Sequence, residues 1–183
     1  TSLLGTNAID ADGTLNGDLV LRGEGAPDFD NAALENLIAQ LQAKGLRRVK
    51  GNVIGDSSYF RGEVIGEGWT WNDLQQYYGA EASALTFNEN QAFVNVENGV
   101  GKTSTDYIRA TVGTPTPIPS ASSTPVYENG GVRRGLDDND FYVWGSSKNF
   151  GIRVAVHDPA KWAAKSLREK LEQKGIMVEG ETR

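Results

Sequence analysis

The sequence predicts an α/β (α+β) domain formed by both chain ends, with an inserted small all-β domain between them. Three observations predict it. Apolar residues at helical spacing, Leu34, Leu37, Ile38 and Leu41, lie between two strand-like runs near the N-terminus. The C-terminal part repeats that order, as a β-branched run, a proline-started helix and a glycine stop. From Gln91 to about Lys148 there is no helical pattern, only short β-branched and aromatic runs. The expected division is residues 1–90 with 149–183 as a discontinuous α/β domain, and residues 91–148 as the inserted one.

Taken in order, Leu15 to Leu21 reads as a strand entered through the Asp10-Ala-Asp-Gly13 turn, with Thr1 to Ile9 pairing against it as a hairpin. The aspartates of that turn also suggest a calcium loop, but the further ligands of an EF-hand do not follow. A helix comes next: Asp30 is a natural N-cap and Gly45 a natural stop, since glycine adopts the left-handed conformation without steric cost. Val49 to Ile54 then reads as a strand. In the middle segment, Ala92 to Val96, Tyr107 to Val112 and Phe141 to Trp144 read as strands, and Thr114-Pro-Thr-Pro-Ile-Pro119 excludes a helix. Ile152 to Val156 is assigned as a strand of the α/β layer, and Pro159 opens a helix at a permitted first-turn position. Leu41-x-x-Lys-Gly-Leu-x-x-Val-x-Gly51 and Leu171-x-x-Lys-Gly-Ile-x-Val-x-Gly180 form a short internal echo, each a helix closing on glycine and handing over to a strand.

Composition narrows the function. A chain of 183 residues with a net charge of −6 is a poor partner for polyanions such as nucleic acid. Zero cysteine removes disulfides and thiolate metal sites, and a single histidine leaves little scope for a transition metal, so no cofactor is expected. No apolar run reaches the length needed to span a bilayer.

The densest concentration of recognition chemistry lies between Gly68 and Asn90, where Trp69, Trp71, Tyr77, Tyr78 and Phe87 are interleaved with carboxylates and amides. Aromatic rings bury large areas while their polar tips demand partners, so such a stretch either shapes a recognition surface or forms a small satellite core.

The order Asp56-Ser-Ser-Tyr-Phe60, Gly68-Trp-x-Trp-Asn-Asp73, Tyr77-Tyr78 and Ser83-Ala-Leu-x-x-Asn-x-Asn90 resembles the class C low-molecular-mass penicillin-binding proteins. These are the serine D-alanyl-D-alanine carboxypeptidase/endopeptidases of peptidase family S13. The resemblance extends through Leu15-Asn-Gly-Asp-Leu-Val-Leu-Arg-Gly-Glu-Gly-Ala-Pro-Asp28 and Lys44 to Val53, and through Val156-His-Asp-Pro159 to Gly180, and is weakest between Val96 and Ser147. Where the family has Gly-Asp-Pro after the second strand, this chain has Gly25-Ala26-Pro27-Asp28, which alters a turn.

The catalytic motifs of that family are another matter. Its nucleophile and base come from Ser-x-x-Lys, where the lysine one helical turn on takes the serine proton, and its cleft is completed by Ser-x-Asn and Lys-Thr-Gly. No Ser-x-x-Lys spacing occurs in this chain. Ser147-Lys148-Asn149 has the Ser-x-Asn spacing but reads as a strand-end turn, and Lys102-Thr103-Ser104 lacks the glycine. The expectation is therefore an excised accessory insert, non-catalytic by itself, of an extracytoplasmic bacterial DD-peptidase. Its partners would be the transpeptidase-like remainder of the parent and the peptidoglycan stem peptide.

For substrate binding the resemblance implies Asp73, meeting the ammonium of a diaminopimelate side chain, with Trp71 and Tyr78 as apolar walls. A second reading of Asp73 is a cap for the Leu74 to Tyr78 turn. Two other function classes stand beside this one: a non-catalytic cell-wall or protein-interaction module sharing the insert, and a nucleotide-binding domain. The latter rests on Asn98-Gly-Val-Gly-Lys-Thr103, which lacks the first glycine of a phosphate loop and is followed by no helix, so a hairpin turn is the better description. His157 has no candidate nucleophile beside it and reads as a strand-end residue.

Overall fold

The computed structural model describes residues 1–113, 130–145 and 147–183. Strands β1 (Ser2–Gly5), β2 (Thr14–Leu15) and β3 (Leu19–Arg22) precede helix α1 (Asn31–Ala43), which leads to β4 (Arg48–Val49) and β5 (Val53–Asp56). There follow β6 (Gln91–Glu97), β7 (Val100–Thr103), β8 (Arg109–Val112), β9 (Gly130–Arg133), β10 (Asp140–Gly145) and β11 (Phe150–Ala155), then helix α2 (Pro159–Gln173) and β12 (Met177–Val178). The architecture is mixed α/β and divides into two units. One comprises Thr1–Val64, Ala82–Glu89 and Asp158–Arg183; the other comprises Ile65–Glu81 and Asn90–His157.

In the first unit β1 runs antiparallel to β3, and β3 parallel to β5, while β2, β4 and β12 are parallel neighbours. The short gaps between β2 and β3 and between β4 and β5 stay hydrogen-bonded, through Lys50 N to Leu15 O at 3.0 Å and Leu19 N to Asn52 O at 2.8 Å. Hydrogen bonds thus link the two three-stranded sheets across both gaps.

Both helices form for the reasons their sequences show. The Asp30 carboxylate accepts from Ala33 N at 2.9 Å, and Gly45 stands at φ +85° past the last turn of α1. Asp158, itself left-handed at φ 53°, accepts from Lys161 N at 3.1 Å ahead of Pro159. Leu34 and Ile38 of α1 and Trp162, Leu167 and Leu171 of α2 are buried in the core, where Phe87 packs edge-on against Trp162 at 5.1 Å. Each such side chain contributes about 1.5–3 kcal/mol by leaving water. Gly55 of β5 lets α2 approach, since a Cβ there would lie 2.2 Å from Ala160 O.

The internal echo has a spatial meaning. Its two strands are direct parallel neighbours, Val49 opposite Val178, and Gly180 N donates to Gly51 O at 3.1 Å. Arg168 of α2 ties the second copy down, donating to Gly180 O at 2.7 Å and Val178 O at 3.3 Å.

In the second unit β6 is central in an antiparallel sheet with β7 and β11, and β10 is central between parallel β8 and antiparallel β9. Ala92, Val94 and Val96 of β6 and Val154 of β11 point inward, as do Phe141 and Val143 of β10. The β6–β7 turn is Asn98-Gly99, with φ 52° and 79°, the left-handed pair that matches strand twist in a two-residue hairpin.

Two segments make their contacts away from their sequence neighbours. Ile152 to Val156 was expected as a strand of the α/β layer; the strand observed is Phe150–Ala155, and all six of its residues pair with β6. Residues 65–81, expected with the N-terminal part, also group with the second unit. Both α-helices belong to the first unit. Strands β7 and β9 were not anticipated: one is short and exposed, and the other, Gly-Gly-Val-Arg, carries glycines that weaken any strand signal. The Thr114–Pro119 stretch lies outside the described residues.

Candidate functional site

The site lies in the second unit, in the turn-rich stretch from Trp69 to Gly79. Thr70 and Asp73 close a turn on themselves: Asp73 N donates to Thr70 O at 2.9 Å, and Asp73 Oδ2 accepts from Thr70 N at 2.7 Å and Thr70 Oγ1 at 2.9 Å. Tyr78 Oη stands 3.5 Å from Asp73 Oδ1, at the limit of a hydrogen bond. The Thr70 N–H, and after it the Thr70 hydroxyl, hold the Asp73 carboxyl below the usual aspartate range, because both stabilise the charged form.

The backbone beneath this carboxylate is pinned residue by residue. Gln75 Nε2 donates to Asn72 O at 2.7 Å and Gln76 N to Asp73 O at 2.9 Å. Arg134 Nη2 donates to Leu74 O at 3.0 Å, Ala155 N to Gln75 O at 3.1 Å, and Gly79 N to Gln76 O at 2.8 Å. Five successive carbonyls, Asn72 to Gln76, are therefore engaged. Gln75, 4% exposed, is a buried amide whose reach back to Asn72 accounts for its burial.

Above this base the aromatic groups face outward. Trp71 is 45% and Tyr78 57% exposed. Tyr77 meets Tyr78 edge-on at 5.3 Å, and the Arg153 guanidinium lies 3.8 Å from the Tyr77 ring centroid. The structure places the Tyr78 hydroxyl within 3.5 Å of Asp73 Oδ1. Trp71 projects from the same turn, but no ring contact joins it to Tyr78 among the described residues. The capping alternative for Asp73 takes a different form from the expected one. Its carboxylate locks the preceding Thr70–Asp73 turn, and the following 3₁₀ turn, Tyr77–Gly79, has no side-chain cap. What the arrangement offers chemically is a fixed anion, its Oδ1 met by the Tyr78 hydroxyl at 3.5 Å, with exposed apolar surface nearby.

Sequence reasoning passed over Thr70, Gln75, Gly79 and Arg134. Thr70 carried a usable signal, a hydroxyl three residues before an aspartate, which is turn chemistry. Arg134 carried none, since its partner lies sixty residues away.

The remaining motifs are structural. Asn98-Gly-Val-Gly-Lys-Thr103 is the β6–β7 hairpin, and Lys102 Nζ pairs with Glu97 at 2.7 Å. Ser147-Lys148-Asn149 is the turn before β11, where Lys148 O accepts from Gly99 N at 3.1 Å and Asn149 Oδ1 from Asn98 N at 2.7 Å. His157 Nδ1 lies 2.6 Å from Glu81 Oε1, and its backbone N–H donates to Asn139 Oδ1 at 2.8 Å, at the strand end expected of it. Asp10 O accepts from Gly13 N at 2.9 Å in the hairpin turn, and no cluster of potential metal ligands occurs among the described residues. No helix among them is long and apolar enough to cross a membrane.

Known proteins are similar to this chain in sequence and fold. The chain is 27% identical to D-alanyl-D-alanine carboxypeptidase DacB of Haemophilus influenzae, over 98% of this chain and 39% of that protein. It is likewise 27% identical to a D-alanyl-D-alanine carboxypeptidase of Actinomadura, over 90% of this chain and 33% of that protein. It therefore spans between a third and two fifths of the length of these relatives. The crystal structure of penicillin binding protein 4 (dacB) from Haemophilus influenzae has the same fold, with a TM-score of 0.77 at 24% identity over 98% of this chain and 41% of that one. The model of the D-Ala-D-Ala carboxypeptidase 3 (S13) family matches residues 1–183, and on that evidence the chain belongs to this family.

Proposed function

We propose that this chain is an accessory, non-catalytic portion of a penicillin-sensitive serine DD-carboxypeptidase/endopeptidase acting on peptidoglycan outside the cytoplasm. Its contribution is to recognise the stem-peptide side chain. The parent would acylate its serine with the penultimate D-alanine carbonyl, expel D-alanine or a cross-linking amine, and hydrolyse the ester. No serine of this chain has a lysine three positions on, so the nucleophile and base belong to the remainder of the parent.

The observation that carries the recognition role is the exposed Asp73 carboxylate, oriented by two hydrogen bonds from Thr70 on Oδ2, with Oδ1 met only at 3.5 Å by the Tyr78 hydroxyl. An ammonium at the end of a diaminopimelate side chain would meet Oδ1, while its methylenes lie along Tyr78 and Trp71. A hydrogen bond to a charged group contributes about 1.5–3 kcal/mol, or roughly 10- to 150-fold in kcat/KM. In the full-length parent, Asp73→Ala is expected to lose that factor on substrates with a free diaminopimelate amine and to leave simple D-Ala-D-Ala peptides unaffected. Equal losses on both substrates would give Asp73 a purely structural role and overturn the reading.

A further inference from the structure

Arg134, directly after β9, is only 5% exposed. Its guanidinium sits among main-chain oxygens: Nη1 donates to Gly135 O at 2.8 Å, Leu136 O at 2.9 Å and Asp138 O at 3.4 Å, and Nη2 to Leu74 O at 3.0 Å. No carboxylate forms an ion pair with it among the described residues, and the pull of Glu81 and Asp138 acts at longer range. Burial pushes its pKa down, as desolvation does to any cation. Such a charge is a costly way to fill space, and an apolar side chain of similar volume would do so more cheaply. What an apolar side chain lacks is the rigid fork that holds several carbonyls in fixed directions.

The base of this arm is itself secured. Asn139, at the end of the 134–139 loop, accepts from Arg109 N at 2.9 Å through its carbonyl and exchanges two side-chain hydrogen bonds with the His157 backbone, at 2.8 and 3.0 Å. Of the five engaged carbonyls beneath the candidate site, Leu74 O is the one held by a side chain from a distant part of the chain. Leu74 follows Asp73 directly.

We propose that Arg134 is a positioning residue for the recognition site: by holding Leu74 O, it fixes where the turn carrying Asp73 leaves β11 and so the direction of the Asp73 carboxylate. The role rests on Asp73 being the cation receptor, but the positioning itself does not. A site carried by a turn needs such outside support to keep its geometry.

The test uses Arg134→Lys, which keeps the charge and loses the fork, and Arg134→Met, which keeps the volume and loses the charge. The first readout is the Asp73 carboxyl titration in this chain, followed by carbon NMR. In both variants it should move up toward the ordinary aspartate value, while Asp12, held by Thr14 in the first unit, titrates unchanged. The second readout is kinetic, in the full-length parent: KM for diaminopimelate-bearing substrates should rise roughly tenfold with kcat retained, and simple D-Ala-D-Ala peptides should be unaffected. An unmoved Asp73 titration in whichever variant folds would overturn the proposal, as would equal losses on both substrates. Should Asp73→Ala prove unselective while the Arg134 variants still move the Asp73 titration, the recognition reading fails and the positioning role stands.

Discussion

A Cβ on Gly79 would lie 2.0 Å from the carbonyl oxygen of Asp73. The 3₁₀ turn that carries Tyr77 and Tyr78 therefore closes directly against the backbone of the carboxylate they accompany. Only glycine fits there, for reasons of space, since Gly79 does not have a positive φ.

Gly79→Ala is accordingly expected to push the Asp73 peptide away. Overpacking of this kind costs about 1–3 kcal/mol, because the neighbour is backbone and cannot rotate aside. Denaturant unfolding should show the loss, and amide shifts should change from Thr70 to Gly79. Unchanged stability with unchanged shifts would contradict the close packing.

Acid should affect the site later than it affects an ordinary carboxylate. Asp73 is held low by Thr70 and Asp56 by Ser58, while Glu35 is held low by Lys170. A depressed folded-state pKa contributes stability that is complete above the unfolded value, near pH 4, and is lost as the pH falls through the lower folded value. The melting temperature should therefore decline below about pH 4. Thr70→Val, which removes the hydroxyl donor, should raise the pH at which Asp73 protonates, as read by carbon NMR. An Asp73 titration that ignores this substitution would refute the assignment of cause.

Trp162 of α2 is 3% exposed and packs on Phe87, which in turn lies 5.9 Å from Phe29. Trp162→Ala should destabilise the first unit by about 3–5 kcal/mol, the usual cost of deleting a buried aromatic ring. A loss under 1 kcal/mol in thermal or denaturant unfolding would show that the core relaxes into the cavity.

Fluorescent penicillin should leave this chain unlabelled after boiling in detergent. Acylation needs a serine activated by a base one helical turn away, and the sequence provides no such pair. A labelled band would locate a nucleophile that the motif argument does not anticipate.

The second unit is also proposed to be an inserted domain. Val156 N donates to Asn90 O at 2.9 Å, so the ends of its main segment lie side by side. Replacing residues 91–155, and separately 65–81, by short Gly/Ser linkers should leave the helical circular-dichroism signal and a cooperative transition. A variant without either would favour a single folding unit.

Much of this protein was legible in short-range chemistry. The limits of α1 follow from Asp30 and Gly45 and those of α2 from Pro159 and Gly175, because caps and stops act within one helical turn. The β6–β7 hairpin follows from Asn98-Gly99, a pair that readily takes the left-handed torsions of a two-residue hairpin turn. Asp73 and Tyr78 as binding residues came from resemblance to a family; the structure itself adds their 3.5 Å contact. What tertiary structure alone decided is which segments became partners. β11 precedes a helix, as a strand of the α/β layer would, yet its six-residue pairing with β6 assigns it to the other unit. Arg134 looks like any surface arginine until β9 and the 134–139 loop carry it to Leu74 O. A main-chain carbonyl has no residue type to announce it, so a side chain that binds one across sixty positions leaves no pattern in the sequence. Only the folded chain, by bringing the donor to an acceptor every residue possesses, determines where such a bond forms.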